Sequence, residues 1–250
     1  MEYLQRKLGN ILGFDVDLYS MENAMIFTHQ HLKENKGMQI VTINPEMIEL
    51  GKKNAAFSRI LKGADLIIPD GVGIKIALKI KGINQENIPG IEFAKKLIEI
   101  CALEGYSIGL LGAKEDIVQQ TAKNLRNEYS NLNITYIRNG YFDKQEEEII
   151  KQEIAAMSPK VVLVALGAPK QEFINADLKE KMPNTIFIGV GGSFDVWSGV
   201  IKRAPKVWQN LGLEWLYRTI KEPKRFKRIF PTLPLFIIRV IIETIREKFG

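Results

Sequence analysis

The 250-residue chain is poor in the side chains that form disulfides and bind transition metals. Its one cysteine excludes an internal disulfide framework and suits a reducing compartment. That residue, Cys101, lies in an apolar helical pattern and is interpreted as part of the core. The two histidines, His29 and His31, are two residues apart and would point to different sides of a helix. Without an H-E-x-x-H or C-x-x-C motif, the sequence gives little support to a metal centre.

Long apolar runs are also missing. The apolar stretch at residues 229–242 is interrupted by two prolines and by Arg239, whereas a helix that crosses a bilayer needs roughly 20 apolar residues. The N-terminal segment contains no long apolar region, so no secretory signal is predicted. We therefore expect a cytoplasmic protein.

The charge is unevenly distributed. From Ile201 onward the chain has 12 Lys and Arg against 4 Asp and Glu, a balance of +8, while the first 200 residues carry −2. A cationic segment of this kind favours phosphate, whether on a nucleotide, a nucleic acid or a lipid headgroup.

What is present is an alternation of strands and helices. Helical patterns at 45–61, 90–103, 114–129, 144–157 and 170–182 separate six apolar runs, which we predict as buried strands at 39–43, 64–68, 106–112, 133–137, 160–166 and 185–190. This alternation predicts an α/β fold with a doubly wound, mostly parallel, Rossmann-like sheet. In such sheets ligands bind beyond the carboxyl ends of the strands.

The pattern changes after about Gly199, which suggests a core at 1–200 and a basic, amphipathic appendage at 201–250. From Leu235 onward the polar residues fall at helical spacing and form one stripe, made of Arg239, Glu243, Arg246 and Glu247. Such a helix fits a membrane interface. The alternative is a terminal helix docked on its own domain or on a partner subunit.

Unusual residues follow the first two predicted strands. Thr42 and Asn44 end the first strand, and Asn44 is equally suited to cap the helix that follows it. Asp70 comes after the second strand and is either a functional carboxylate or a helix cap. The glycines beside it, Gly71 and Gly73, would let the backbone approach a ligand closely.

Two later strand ends are also distinctive. "LGAPKQEF" places Gly167 and Gln171 at a strand-to-helix turn, where an amide suits sugar hydroxyls or a nucleobase edge. "GVGGSFDVWSG", with Gly191 and Asp195, is interpreted as a loop shaped around a ligand. We find no acidic pair of the kind that holds Mg²⁺ on a nucleotide diphosphate. The arginines of the tail would then have to neutralise the charge of a diphosphate. Their alternative role is adhesion to lipid headgroups.

Together these segments resemble the WecG/TagA/CpsF glycosyltransferase family (glycosyltransferase family 26). The matching pieces occur in the expected order at 42–46, 69–74, 89–93, 166–172, 189–199, 203–205 and 211–218. The resemblance implies an inverting transferase that needs no metal or other cofactor. It would move N-acetylmannosamine from UDP-ManNAc to undecaprenyl-diphosphate-linked N-acetylglucosamine, in the linkage unit of wall teichoic acid. Relatives use a UDP-linked mannosaminuronic acid or another hexose.

The resemblance also implies roles for individual residues. Asp70 would be the base that deprotonates the acceptor hydroxyl. Thr42 and Asn44 would hold the donor sugar, Gln171 would orient donor or acceptor, and Asp195 would accept hydrogen bonds from uridine. The backbone at the three site glycines would line the cleft (Gly71, Gly167, Gly191).

Further expectations concern the rim and the tail. Tyr141 would stack on the uracil, with a half-buried surface aromatic as the alternative. Arg218, Arg225 and Arg228 would face the diphosphate once the tail folds over the site. The tail resembles the membrane-targeting appendage of TagA-type members, which implies a peripheral protein on the inner face of the cell membrane. One departure is that relatives carry an arginine where this chain has Asn87 or Ile88.

Other function classes remain as alternatives. A nucleotide-dependent oxidoreductase shares the sheet pattern, but G-x-G-x-x-G is missing after the first strand. Another alternative is a non-enzymatic module that binds membrane or nucleic acid through the basic tail. It would leave the strand-end residues without a function, so no nucleic-acid partner is expected. Association into a homo-oligomer stays open.

Overall fold

A six-stranded parallel sheet forms the centre of the protein, with the strand order β4-β3-β8-β7-β5-β6. The computed structural model describes residues 6–210, 216–217 and 223–249, with the backbone alone at 209–210 and 223–231. The strands of this sheet are β3 (Met38–Ile43), β4 (Leu66–Pro69), β5 (Ile108–Gly112), β6 (Ile134–Arg138), β7 (Val161–Ala165) and β8 (Ile186–Gly189). All six predicted strands are thus confirmed. An antiparallel hairpin that the sequence pattern did not predict precedes them, β1 (Leu8–Ile11) and β2 (Phe14–Asp17).

Helices connect the strands. They are α1 (Met21–Lys33), α2 (Pro45–Lys53), α3 (Ala55–Lys62), α4 (Val72–Ile80), α5 (Gly90–Glu104), α6 (Glu115–Glu128), α7 (Lys144–Met157), α8 (Lys170–Lys181), α9 (Ser193–Trp197), α10 (Lys206–Asn210) and a C-terminal helix (Pro223–Phe249). The helix predicted over 45–61 is in fact two helices. Asn54 ends α2 and caps α3 by accepting a hydrogen bond from Phe57 N at 3.1 Å, which the preference of asparagine for N-caps explains.

Helices cover both faces of the sheet. Successive side chains of a strand point to opposite faces, so the buried strands need a helical layer on each face. One face packs against α1, α5, α6 and α9, and the other against α2, α3, α4, α7 and α8. Cys101 is fully buried in the first of these layers, and burial raises the pKa of its thiol to about 12. The doubly wound α/β fold is therefore confirmed, and so is the interpretation of Cys101 as a core residue.

The C-terminal helix packs on this core. Phe236 and Val240 are fully buried in the layer that also contains α2 and α4. Upstream, Ala204 is buried as well, and Arg203 donates to Glu92 of α5 at 2.6 Å. The predicted appendage thus makes extensive contacts with the preceding residues.

Three of the four residues in the polar stripe of the C-terminal helix form ion pairs with the preceding part of the chain. Arg239 pairs with Glu49 of α2, while Glu243 and Glu247 pair with Lys81 at 2.8 and 2.9 Å. The helix also begins at Pro223, upstream of the predicted start at residue 235. The docked alternative is therefore the one observed for this side of the helix. In the described part of the chain, no helix combines the length and the apolar character that crossing a membrane requires.

Candidate active site

All six strands are parallel, so their carboxyl ends share one edge of the sheet. From β5 the chain continues to β6 on one side, whereas from β7 it continues to β8 on the other. Adjacent strands whose connections diverge in this way open a crevice at the carboxyl edge, where doubly wound proteins bind ligands. Apart from the three tail arginines, the predicted site residues lie on or after the carboxyl ends of these strands.

Asp70 lies at the carboxyl end of β4, beside β3. Its backbone N–H donates to Ile43 O at 2.9 Å, and Ile88 N donates to Pro69 O at 2.8 Å, so both polar groups of the peptide bond before Asp70 are held. The side chain is partly exposed. A Cβ added to Gly90 would lie 3.2 Å from Asp70 Oδ2 and 2.8 Å from Thr42 Cγ2, so both side chains approach the start of α5. Glycine at position 90 makes room for both.

The helix after Asp70 is capped by another residue. The N-cap of α4 is Gly71, which has φ +86° and no side chain, and a Cβ there would meet nothing within 4 Å. Asp70 therefore precedes the cap position. Gly73 was expected to let the backbone approach a ligand, but protein atoms lie beside it. A Cβ there would lie 2.5 Å from Pro45 Cγ and 2.8 Å from Leu233 Cδ1, so its role is close packing of α4.

Asn44 caps α2. Its Oδ1 accepts a hydrogen bond from Met47 N at 3.1 Å, and Pro45 stands at the first helical position. The capping alternative for Asn44 is confirmed. A contact of Asn44 with a donor sugar stays a prediction.

Gln171 joins two glycine loops. Its side chain is 4% exposed, and its Oε1 accepts hydrogen bonds from Gly167 N at 3.0 Å and from Gly191 N at 3.1 Å. Its Nε2 donates to Glu172 Oε1 at 2.7 Å. The amide is thus engaged in protein contacts at both ends. A direct contact with a sugar stays a prediction, and the geometry itself supports positioning of the loops after β7 and β8.

Glu172 is a residue to which the sequence pattern assigned no role. It is 2% exposed, and burial raises the pKa of its carboxyl to about 7, against the smaller opposing effect of the hydrogen bond from Gln171. A buried carboxyl that titrates near neutrality beside a crevice is a feature of many functional sites. No local signal in the sequence marks this residue, because charged and amide side chains are frequent throughout α8.

The remaining predicted residues lie further along the edge. Asp195 is in the first turn of α9, partly exposed, just after the loop at Gly191. Tyr141 is 69% exposed, so it is more exposed than the half-buried alternative supposed. It follows Gly140, whose N–H donates to Ala113 O at 2.8 Å. This contact brings the loop after β6 back over the end of β5.

The three tail arginines cannot be compared with the prediction. Arg218 lies outside the described residues, and Arg225 and Arg228 belong to the C-terminal helix at positions where the backbone alone is described.

The sequence does contain one D-x-D triplet, Asp15-Val16-Asp17 in β2, and the structure gives it a structural role. Asp17 is fully buried, binds Arg6, and accepts a hydrogen bond from Ile67 N at 2.8 Å. Asp15 accepts from Asn10 at 2.7 Å. Across the described residues, no three His, Cys, Asp or Glu side chains gather as a metal site would require. Independence from metal stays a prediction.

The residues at the expected departure from the family pattern, Asn87 and Ile88, are both largely covered by protein. Ile88 is 1% exposed and belongs to the core. Asn87 beside it has a buried Oδ1 that accepts no hydrogen bond from the described residues.

A comparison with protein-family models gives a match over nearly the whole chain. The model described as "Glycosyl transferase WecG/TagA/CpsF family" matches residues 9–250. The match therefore includes every predicted site residue, as well as the C-terminal helix.

Proposed function

The chain belongs to the WecG/TagA/CpsF family of glycosyl transferases, and from this premise we propose that it transfers N-acetylmannosamine from UDP-ManNAc to undecaprenyl-diphosphate-linked N-acetylglucosamine. The observation that carries the proposal is that Asp70 and Thr42, at the ends of adjacent strands, both approach Gly90. This pair stands on the same edge as the glycine loops that Gln171 joins. The oxidoreductase alternative has no support from the family.

The proposed reaction is a single displacement with inversion. Asp70 takes the proton of the acceptor hydroxyl while that oxygen attacks the anomeric carbon. The bond from this carbon to the UDP oxygen breaks, and UDP leaves with the electron pair. Donors must face the departing diphosphate, and we assign this task to Arg218, Arg225 and Arg228. No metal or other cofactor takes part in this scheme.

The sheet order supports an elongated donor. Strands lie roughly 4.8 Å apart, so the axes of β4 and β7 are separated by about 14 Å. The sugar would lie at the β4 end, near Asp70, Thr42 and Asn44. The uridine would lie beyond β8, near Asp195 and Tyr141.

The course of the C-terminal helix supports the assignment of the arginines. Leu233 Cδ1 lies 2.8 Å from the Cβ position of Gly73 near the start of α4, and Glu243 reaches Lys81 at the end of α4. The helix therefore runs parallel to α4, and its first turns extend past the start of α4 at the carboxyl edge. With a rise of 1.5 Å per residue, the two arginine positions in this helix lie roughly 8 and 12 Å before Leu233.

Membrane association at the inner face of the cell membrane is part of the proposal, because the lipid-linked acceptor resides there. An apolar side of the C-terminal helix is exposed, with residues spaced alternately by three and four positions (Leu235, Ile238, Ile242, Ile245, Phe249). Five basic residues precede it between 221 and 228. Apolar burial together with cationic attraction is the combination that holds peripheral helices on anionic membranes.

The test is turnover by the purified full-length chain. A panel of UDP-sugars is incubated with a short-chain polyprenyl-diphosphate-linked N-acetylglucosamine, and the product is identified by mass. We expect one added N-acetylhexosamine from UDP-ManNAc. A product from a different UDP-hexose alone would replace the proposed donor, and no product from any donor would refute the proposal.

Asp70→Asn tests the base. Loss of general-base catalysis is expected to lower kcat by about 10²- to 10⁴-fold, while the KM for the donor changes little. Asp116→Asn, an exposed carboxylate of α6, is the matched control and is expected to keep full turnover. An unchanged kcat in Asp70→Asn would remove Asp70 from this role.

A further inference from the structure

The contacts of Gln171 leave one orientation for its side-chain amide. Two backbone N–H groups, from Gly167 and Gly191, point at the same side-chain atom, which must therefore be the oxygen. The nitrogen then points at Glu172 Oε1 at 2.7 Å. The carboxyl of Glu172 is thus the acceptor that completes this arrangement.

The side chains of Gln171 and Glu172 fill the space beside Gly189. A Cβ added to Gly189 of β8 would lie 2.3 Å from Gln171 Nε2 and 2.9 Å from Glu172 Oε1. The amide and the carboxyl therefore occupy the volume that a side chain at position 189 would fill. Gln39 of β3 donates to the backbone oxygen of Glu172 at 3.2 Å, which ties the start of α8 to the sheet.

The second carboxyl oxygen has no partner among the described residues. Glu172 Oε2 is buried and accepts no hydrogen bond from these residues. Asn175, three residues later on the same side of α8, likewise has a buried amide whose oxygen accepts none and whose nitrogen donates none. A buried carboxylate with a single side-chain donor is marginally stabilised, because ionisation in such surroundings costs free energy unless several donors compensate.

We propose that Glu172 is a positioning residue whose ionised carboxylate holds the Gln171 amide against Gly167 and Gly191, and so sets the shape of the crevice that takes the nucleotide diphosphate. The proposal rests on the proposed function, since it assumes that a UDP-sugar occupies this crevice. Glu172 itself touches neither substrate nor reacting atoms in this scheme. It acts through Gln171.

It follows from this proposal that protonation of Glu172 weakens its hold on the Gln171 amide. A hydrogen bond to an ionised acceptor is about twice as strong as one to a neutral acceptor, so the neutral carboxyl holds Gln171 less firmly. Burial raises the pKa of Glu172 to about 7. The two states are then both populated near neutral pH.

Other charged groups near α8 do not control the ionisation of Glu172. The strands beneath α8, β3, β7 and β8, contain no ionisable residue. On α3, Arg59 and Lys62 are exposed. On α7, Lys151 pairs with Asp177 of α8 at 2.8 Å, and Glu148 lies 3.8 Å from Lys181. The charges of α7 and α8 are thus paired with one another, while those of α3 are exposed.

The experiment measures the affinity of the full-length chain for UDP by calorimetry between about pH 6 and pH 8. Glu172→Gln keeps the size and an acceptor oxygen but cannot ionise. The wild type is expected to lose affinity on acidification by roughly tenfold more than this variant, the change that one unit of coupled pKa shift produces. Glu180→Gln, an exposed carboxylate of the same helix, is expected to follow the wild type.

The titration of UDP itself is common to all three proteins, so the difference between them is the readout. The same pH dependence in Glu172→Gln and wild type, with UDP bound by both, would overturn this proposal and leave the proposed function intact. UDP affinity of Glu172→Gln equal to that of wild type at pH 8 would also overturn it, because a neutral acceptor is expected to hold Gln171 less firmly. Failure of the wild type to bind UDP would refute the proposed function and this proposal with it.

Discussion

At the scale of single residues, the environment decides what a polar side chain offers to a ligand. Asn44 and Gln171 were both predicted to contact sugar, and both turn their amide oxygen to backbone N–H groups. In Asn44 the contact is local and was foreseeable from the N-cap preference. In Gln171 it joins residues of two loops, so the pattern of α8 alone could not indicate it.

The pKa of Glu172 leads to a prediction about stability. Its folded pKa of about 7 exceeds the ordinary glutamate pKa of 4.5, so the folded state binds the proton more tightly. The stability it contributes is fully present below about pH 4.5 and is lost as the pH rises through 7. Two and a half pKa units correspond to roughly 3 kcal/mol. Glu172→Gln should therefore be more stable than wild type at pH 8, with little difference at pH 5.

Urea unfolding at these two pH values checks the prediction, with Glu180→Gln as the control. An equal difference between wild type and Glu172→Gln at both pH values would contradict it. If both this result and the UDP titration come out as expected, the ionised form that favours binding is also the one that destabilises the fold.

At the scale of elements, the C-terminal helix has two different sides. The side with Phe236 and Val240 is fully buried, while the side with Ile238 and Ile245 is about half exposed. Sequence periodicity indicated an amphipathic helix with a polar stripe. It could not tell which side would face the core, because Lys81 and Glu49, the partners of that stripe, are distant in sequence.

Phe236→Ala and Ile238→Ala separate the two sides. Truncation of a fully buried phenylalanine is expected to lower the free energy of unfolding by about 3–5 kcal/mol, through lost burial and a cavity. Ile238 is 53% exposed, so its truncation should change stability by less than about 0.5 kcal/mol. Urea unfolding of both variants in the absence of lipid measures this. Equal losses would mean that Phe236 is not part of the core.

The N-terminal hairpin shows why one element escaped the sequence pattern. Its strands have four residues each, too few for a clear alternation. It is fixed by Asp17, which accepts a hydrogen bond from Ile67 N in β4, 50 residues away. Such an element depends on a tertiary contact more than on its own periodicity.

At the scale of the whole molecule, the exposed apolar side of the C-terminal helix leads to a prediction about membranes. Ile238→Ser combined with Ile245→Ser should strongly reduce co-sedimentation with vesicles that contain anionic lipid. Each buried isoleucine contributes roughly 1.5–3 kcal/mol to such binding. The melting temperature in solution should stay close to that of wild type, because both side chains are exposed.

Leu103→Ser serves as the control, since Leu103 is 79% exposed on α5 and lies outside this helix. It should leave sedimentation unchanged. Raised salt should weaken binding of wild type, because the +8 balance of the tail acts through screened charges. Vesicle binding by the double variant at the wild-type level would exclude this side as the membrane contact.

The sequence by itself determined the sheet, its helical layers and the edge at which the site would lie. Alternating buried strands and helices permit few arrangements, and parallel strands bring every carboxyl end to one edge. Only the tertiary structure decided the orientation of the C-terminal helix, the packing role of Gly73 and the bridge from Gln171 to two loops and Glu172. The physical reason is that the first group depends on local periodicity, whereas the second depends on which distant atoms lie within hydrogen-bond or van der Waals distance.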